Sequence, residues 1–154
     1  MKIRKLQKDD IKQVLGVIVR AGIDIDSPRD SFETHFKIKK LKIKWTEYIV
    51  AKDKKKIVGV CGYYHQKVAP EVYGISWFAV DPEHQKRGIG SLLLETVEKK
   101  LKNMGGRKAM VYTSNWKVFK DANVFYKKRG YKKVAVLKDF YQPKEDAIIF
   151  SNDL

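Results

Sequence analysis

The chain has 154 residues, of which 44% are hydrophobic and 12% aromatic. This length and composition predict one folded domain over residues 1–154 and exclude a disordered chain. No apolar run reaches the roughly 20 residues of a membrane helix, and the charged N-terminus lacks the apolar stretch of a signal peptide. Cys61 is the single cysteine. We therefore expect a cytoplasmic protein without an internal disulfide and without a membrane partner.

The formal net charge of +15 is large for a chain of this length. Such a charge favours an anionic partner, either nucleic acid, the ribosome or a phosphorylated ligand. The lysines are spread along the whole chain, so a solvated basic surface is an equally physical explanation. The sequence contains no helix-turn-helix, RNA-recognition or zinc-finger signature.

The first half of the chain predicts two helices and four strands. A helix begins at Asp9 and places five apolar residues on one face: Ile11, Val14, Leu15, Ile18 and Val19. Asp26-Ser27-Pro28 forms an N-cap followed by proline, which indicates a second helix over Pro28–Lys40. The strands are rich in β-branched and aromatic residues and cover Lys2–Leu6, Tyr48–Ala51, Ile57–Tyr64 and Val72–Val80.

The second half mixes helices and strands. A helix follows the stretch HQKRGIG, ends at Gly105-Gly106 and directs six apolar residues inward: Ile89, Leu92, Leu93, Val97, Leu101 and Met104. Another helix covers Val118–Arg129, with Val118, Ala122, Phe125 and Arg129 on one face. The remaining strands cover Lys108–Thr113, Tyr131–Leu137 and Ala147–Ser151. The pattern predicts an α/β (α+β) fold with a largely antiparallel sheet.

Residues 84–94, HQKRGIGSLLL, place two glycines where a helix begins. Free N–H groups of a first helical turn, together with the helix dipole, favour an anion, and Lys86 and Arg87 add positive charge. A dinucleotide fingerprint would need glycine at Leu93, and a P-loop would need Gly-Lys-Ser/Thr where Gly90-Ser91-Leu92 stands. The residues Gln85–Gly90 instead fit the pattern Gln/Arg-x-x-Gly-x-Gly/Ala, which is the pyrophosphate loop of acetyl-CoA enzymes.

The stretch WFAVDPEHQKRGIGSLLL, residues 77–94, resembles the central motif of the GNAT superfamily of N-acetyltransferases over its whole length. Downstream, FYKKRGY at Phe125–Tyr131 resembles the second signature of that superfamily. The order of the elements agrees over residues 2–154, with strong motifs from Trp77 onward. The resemblance implies a mixed, largely antiparallel twisted sheet with helices on both faces. It also implies that strands four and five splay apart to admit the pantetheine arm.

The resemblance also implies roles for individual residues. Backbone groups of Phe78 and Val80 would bind the acetyl and pantetheine amides. Gln85 would support the loop whose backbone N–H groups bind the pyrophosphate, namely those of Lys86, Arg87, Gly88, Ile89, Gly90 and Ser91. Tyr126 would lie near the thioester sulfur and protonate the leaving CoA thiolate. Alternatively, Tyr126 is an aromatic residue of the helix that only packs against its neighbours.

The chain departs from the family pattern at two positions. Many relatives carry a glutamate base on the fourth strand, where Gly74 and Ser76 stand here. Many also place asparagine seven residues before the tyrosine, where this chain has Phe119. Asn115 and Asn123 are the nearby candidates, and we take Asn115 as cofactor-binding. The general base is therefore not identified by the resemblance.

The stretch KDFYQPKEDAIIF resembles the substrate-gating hairpin of N-terminal peptide acetyltransferases. In it, Asp139 and Tyr141 would hold an acceptor amine; the alternative is that Phe140 and Tyr141 only pack the hairpin. The missing glutamate favours an α-amine, which loses its proton more readily than lysine. The histidines lack ligand spacing, so we expect no metal site at His35, His65 or His84.

These observations together predict an acetyl-CoA-dependent N-acetyltransferase, monomeric or homodimeric. Acetyl-CoA would serve as co-substrate, and a primary amine, at a protein or peptide N-terminus or on a small molecule, would attack it directly. Two alternatives remain open: a basic nucleic-acid- or ribosome-docking protein, and a CoA-binding module with little catalysis.

Overall fold

The computed structural model describes residues 1–24, 26–40 and 46–154, with only the backbone of Lys40. Within these ranges the chain forms seven strands, β1 Lys2–Lys5, β2 Thr46–Asp53, β3 Lys56–His65, β4 Val72–Val80, β5 Lys108–Ser114, β6 Lys132–Gln142 and β7 Glu145–Asp153. It also forms four α-helices, α1 Ile11–Arg20, α2 Asp26–Lys40, α3 Ile89–Asn103 and α4 Lys120–Lys128. Short 3-10 helices cover Lys8–Asp10, Pro82–His84 and Lys117–Phe119.

The strands form a seven-stranded sheet in the order β1-β2-β3-β4-β5-β7-β6. Pairing is antiparallel between β1 and β2, β2 and β3, β5 and β7, and β6 and β7. The strands β4 and β5 pair in parallel, and their register joins Val72–Gly74 to Lys108–Met110. The predicted mixed, largely antiparallel α/β fold is therefore confirmed.

The chain divides into two compact units. Unit 1 consists of residues 1–64 and 76–97, and unit 2 of residues 65–75 and 98–154. Both β4 and α3 contribute residues to each unit. In the described residues, no helix is long and apolar enough to span a membrane.

Helices cover both faces of the strands of unit 1. Val60 of β3 belongs to a core cluster with Val14 and Phe32 from α1 and α2. Neighbouring residues on a strand point to opposite faces, and a Cβ at Gly59 would lie 2.9 Å from Leu93 of α3. The absence of a side chain at Gly59 therefore lets α3 pack closely on the second face.

In unit 2 the α4 helix covers one face of the β5–β7 pair. Val111 and Phe150 are register partners and are buried. The ring of Tyr126 on α4 lies 6.0 Å from that of Phe150. The strand β6 borders β7 and is exposed along most of its length.

The structure corrects several details of the predicted elements. Leu92 and Met104 were expected to face the core, and Val19 and Val118 to share an apolar helix face, but all four are 41% or more exposed. Successive helical residues are about 100° apart. Because Leu93 and Leu94 point into the core, Leu92 lies at the side of the helix and is partly exposed. Met104 lies beyond the end of α3 and Val118 in a 3-10 helix, where the α-helical period does not apply. Strands β6 and β7 are also longer than predicted, because they form one extended hairpin.

Candidate functional site

The first part of the site is the turn from β4 to α3 in unit 1. Trp77 has a φ of +40°, which interrupts the regular pleat just before Phe78. After β4, the 3-10 helix Pro82–His84 leads into an exposed loop. Gln85 donates from Nε2 to the carbonyl oxygen of Val80 at 3.1 Å. This bond ties the start of the loop to the end of β4.

The loop presents backbone donors that find no backbone acceptor. In the described part of the chain, Leu92 is the first residue after Gln85 whose N–H donates to a backbone carbonyl, that of Gly88 at 3.0 Å. The N–H groups of residues 86–91 precede it at the N-terminus of α3. Lys86 and Gly88 have φ values of +58° and +78°, and no atom lies within 4 Å of a Cβ built on Gly88. Such a loop forms a concave nest of donors that suits an anion.

Asp81 stabilises the 3-10 helix that leads into this loop. Its Oδ1 accepts a hydrogen bond from the N–H of Glu83, and its Oδ2 accepts two from Arg20 at the end of α1. Burial alone would raise the pKa of Asp81, but the bonds and charge of Arg20 and the N–H of Glu83 lower it. Asp81, Glu83 and His84 bring possible metal ligands within 4.8 Å of one another. Because both Asp81 oxygens already have donors, we assign this cluster a structural role.

Tyr126, predicted to be the catalytic acid, lies in unit 2. It is 5% exposed, and its ring packs against those of Phe125, Tyr131 and Phe150 at centroid distances of 5.6, 5.6 and 6.0 Å. A phenol in such an aromatic cluster is held in one orientation. The packing and catalytic interpretations of Tyr126 are therefore compatible.

The amide of Asn115 holds the β6–β7 hairpin. Its Oδ1 accepts from the N–H of Asp146 at 3.0 Å, and its Nδ2 donates to the carbonyl of Lys144 at 3.3 Å. Asn123 donates to the carbonyl of Ser114 at 2.9 Å, while its buried Oδ1 has no partner among the described residues. The cofactor role of Asn115 stays a prediction, because both polar atoms of its side chain already bond to the hairpin.

The predicted acceptor residues, Asp139 and Tyr141, lie on a four-residue bulge of β6. Between the pairs Leu137–Ala147 and Gln142–Glu145, residues 138–141 oppose Asp146 alone. The Asp139 carboxylate accepts from the N–H of Lys144 at 2.6 Å, so it shapes the turn. Tyr141 is 47% exposed. Partial burial raises its pKa, and the charge of Glu145 and the nearby Tyr112 add to that.

Sequence reasoning missed a cavity in unit 1. Its volume is about 340 Å³. Its walls come from α2, β2, β3 and β4, and the lining residues are Asp30, Ser31, Thr34, His35, Ile38, Thr46, Tyr48, Tyr64 and Ser76. No short motif joins residues so far apart in the chain. The one signal in the sequence was Ser76, which with Gly74 was a candidate match for the glutamate of relatives.

Comparisons with known proteins agree with this arrangement. Residues 44–133, more than half of the chain, match the sequence family described as the acetyltransferase (GNAT) domain. A comparison with curated proteins gives no significant match. A solved structure from Desulfovibrio desulfuricans, assigned to the GNAT family of acetyltransferases, is 25% identical with a TM-score of 0.85. The match covers 99% of this chain and 98% of that one.

Two further solved structures share the fold at lower identity. The ribosomal-protein-S18-alanine N-acetyltransferase of Escherichia coli is 18% identical with a TM-score of 0.79, over 99% of this chain and 92% of that one. An aminoglycoside 6'-N-acetyltransferase complexed with coenzyme A is 16% identical with a TM-score of 0.75, over 99% and 97% of the two chains.

Proposed function

Because the chain belongs to the GNAT family of acetyltransferases, we propose that it is a single-domain, acetyl-CoA-dependent N-acetyltransferase whose acceptor is a primary amine. The observation that carries the proposal is the row of N–H groups at residues 86–91, which have no backbone acceptor within the described chain. The space beside Gly88 in the same loop is open. A pyrophosphate needs several such donors and close access to the backbone.

The named activities of two structural neighbours support transfer to nitrogen. One acts on an alanine of a ribosomal protein and the other on the 6'-nitrogen of an aminoglycoside. The second neighbour also binds coenzyme A, which supports the same cofactor here. The two acceptors differ widely in size, so they do not identify the acceptor of this chain.

The residues of the site suit direct transfer. An acceptor ammonium has no lone pair, so it must lose a proton before it attacks the thioester. Backbone groups of Phe78 and Val80 would orient the acetyl group and the pantetheine arm, with one lone pair of the Val80 carbonyl already bound by Gln85. The phenol of Tyr126 would donate a proton to the leaving thiolate. Preorganised N–H groups on β4 would stabilise the oxyanion that develops.

A pair of glycine variants tests the cofactor assignment. We expect Gly88→Val to abolish acetyl-CoA binding in isothermal titration calorimetry, because its side chain fills the space that the pyrophosphate needs. Gly105→Val is the matched control, since Gly105 has a φ of +81° and equally open surroundings. Both variants carry similar backbone strain. Equal affinities in Gly88→Val and the control would overturn the proposed function.

Turnover separates the enzyme from a binding module. We expect the wild-type chain to release free CoA from acetyl-CoA in the presence of a panel of peptide N-termini, lysine peptides, polyamines and small amines. Mass spectrometry should then find the acceptor heavier by one acetyl group. Binding of acetyl-CoA without turnover of any of these amines would favour the binding module.

A further inference from the structure

The 340 Å³ cavity of unit 1 has the size and lining of a small-molecule site. Six of its nine lining residues carry hydroxyl groups, and at neutral pH Asp30 alone among these nine described residues carries a full charge. Most of the surface that faces the cavity is carbon, with hydroxyl groups and one carboxylate among its residues, which suits a small amine that combines an apolar part with hydrogen-bond donors.

His35 is the basic group of this cavity. It is 6% exposed and its ring packs edge-on against those of Phe36 and Tyr48, at 5.0 and 5.3 Å. Its Nδ1 lies 3.0 Å from Oγ1 of Thr46. When Nδ1 carries the hydrogen and donates it to Thr46, the lone pair of Nε2 is available as a base.

The surroundings keep this imidazole neutral. Burial lowers the pKa of His35, and the positive charge of Lys39 lowers it further, against the opposing hydrogen bond with Thr46. The other titratable groups around the cavity are Asp30 on α2, Tyr48 on β2 and Tyr64 on β3. A histidine of this kind can accept a proton at neutral pH, because it is not already protonated.

The cavity reaches β4 at Ser76, whose Oγ lies 3.4 Å from the hydroxyl of Tyr48. Ser76 is two residues before Phe78, a spacing of about 6–7 Å along a strand. Ser76 is therefore the lining residue nearest in sequence to the part of β4 that would orient the acetyl group. Ser76 is also one of the two positions, with Gly74, at which the resemblance led us to look for the carboxylate base of relatives.

We propose that this cavity receives the acceptor amine and that the neutral imidazole of His35 removes its proton. The inference rests on the proposed N-acetyltransferase function. The Nε2 lone pair takes one proton from the acceptor ammonium, the freed amine nitrogen bonds to the acetyl carbon, and the carbon–sulfur bond breaks. The amine loses a second proton, the thiolate gains one, and the imidazolium returns its proton to water. Thr46 acts as a positioning residue that holds the imidazole of His35 in place through the contact between its hydroxyl and Nδ1.

The strength of this base selects the class of acceptor. A lysine ammonium is about 300-fold harder to deprotonate than an α-ammonium, because their pKa values are near 10.4 and 7.7–8.0. An ordinary imidazole, with a pKa near 6.5, is a weaker base than either amine, so it deprotonates the more acidic α-ammonium more readily. The acceptor class is therefore a small amino-acid derivative or the end of a peptide.

The test uses the full chain with L-alaninamide, trialanine and Nα-acetyl-lysine amide as acceptor probes. We expect His35→Gln to lower kcat for the two α-amines by at least about tenfold and to leave the Kd for acetyl-CoA within twofold. The acidic limb of the wild-type kcat/KM profile should disappear in this variant. His65→Gln, a histidine outside the cavity, is the matched control and should keep both values.

If His35→Gln does not fold, two milder variants still test the inference: Thr46→Val, which is conservative, and Asp30→Asn, which changes an exposed residue. Thr46→Val preserves the side-chain shape and should shift the acidic limb, because it removes the hydroxyl that contacts Nδ1 of His35. Asp30→Asn should raise KM for L-alaninamide several-fold, while Glu33→Gln on the same helix should not.

The outcomes separate this inference from the proposed function. If acetyl-CoA does not bind the wild-type chain, the proposed function fails and the inference fails with it. If the wild-type chain acetylates an amine while Thr46→Val and Asp30→Asn match it in KM and pH profile, the function stands and the inference is overturned. A clear preference for the lysine probe would overturn the α-amine assignment.

Discussion

Arg20 donates two hydrogen bonds to one oxygen of Asp81, from Nε at 2.9 Å and from Nη2 at 2.5 Å. Arg20 lies in the last turn of α1, and Asp81 caps the 3-10 helix that precedes the loop of residues 85–88. Sixty-one positions separate the two residues. The bond therefore joins the start of the chain to the position from which the loop departs.

We expect Arg20→Gln to destabilise the protein and to weaken acetyl-CoA binding. The variant leaves the buried Asp81 carboxylate without its cation, but half of the Arg20 side chain is exposed, so we expect a loss of about 1–2 kcal/mol. Chemical denaturation and calorimetry measure the two effects. Arg29→Gln removes a longer, exposed ion pair on α2 and serves as the control. Full acetyl-CoA affinity in Arg20→Gln would show that the loop does not depend on this pair.

A second ion pair predicts how stability depends on pH. Asp10 is buried, and its carboxylate accepts two hydrogen bonds from Arg4 and one from the N–H of Gln7. The bonds from Arg4 lower the pKa of Asp10 against the opposing effect of burial. The folded state therefore releases this proton more readily than the unfolded state does, and the stabilisation is fully present above about pH 4.

We expect the free energy of unfolding to fall as the pH drops from about 4 through the lowered pKa of folded Asp10. Asp10→Asn removes the charge but keeps an oxygen for the N–H of Gln7, so it should flatten this part of the curve and cost about 1–3 kcal/mol at pH 7. Asp9→Asn changes an exposed neighbour and should leave the curve nearly unchanged. Urea unfolding between pH 2.5 and 7 measures all three. Parallel curves for Asp10→Asn and the wild type would contradict the assignment.

The sequence predicted those features of the fold and site that depend on neighbours along the chain. β4 was predicted over its full observed range, and a helix was predicted directly after the loop that contains Gly88, where α3 begins. The anion-binding role of that loop stays a prediction. The bond between Arg20 and Asp81 could not be predicted, because only the folded sheet brings them together. The same holds for the cavity lined by His35 and Ser76, which draws on a helix and three strands.

The β6 bulge shows a limit of a different kind. The sequence predicted that this strand ends at Leu137, because Lys138-Asp139 breaks the alternation of apolar residues. In the structure the strand continues beyond a four-residue bulge that Asp146 holds with bonds to Asp139 and Lys138. A bulge of this kind is stabilised by the partner strand, so the bulged segment alone does not reveal it.

We expect Tyr141→Ala to raise KM for the acceptor and to leave the Kd for acetyl-CoA nearly unchanged. Tyr141 is half exposed on the bulge, and its loss would remove binding that the ground and transition states share. Phe140→Ala is the matched control, because Phe140 is its neighbour and is similarly exposed. Steady-state kinetics with L-alaninamide measures KM. If Tyr141→Ala and Phe140→Ala change KM equally, the bulge contributes only packing.

Tyr126→Phe tests the proposed acid, since it keeps the aromatic ring and removes the phenolic proton. The ring packs against Tyr131 and Phe150, so the variant should fold normally. General acid catalysis typically contributes about 10²–10⁴-fold. A thiolate is a fair leaving group, so we expect a smaller fall in kcat, of at least about tenfold, with little change in the Kd for acetyl-CoA.

The neighbouring Tyr131 supplies the control for that experiment. Its hydroxyl donates to Oε1 of Glu98 at 2.8 Å, so Tyr131→Phe loses a structural hydrogen bond and should cost about 1 kcal/mol of stability without lowering kcat. The kcat profile of Tyr126→Phe should also lack any alkaline limb that belongs to the phenol. A Tyr126→Phe variant with the wild-type kcat between pH 6 and 10 would show that this ring only packs, in which case water delivers the proton to the thiolate.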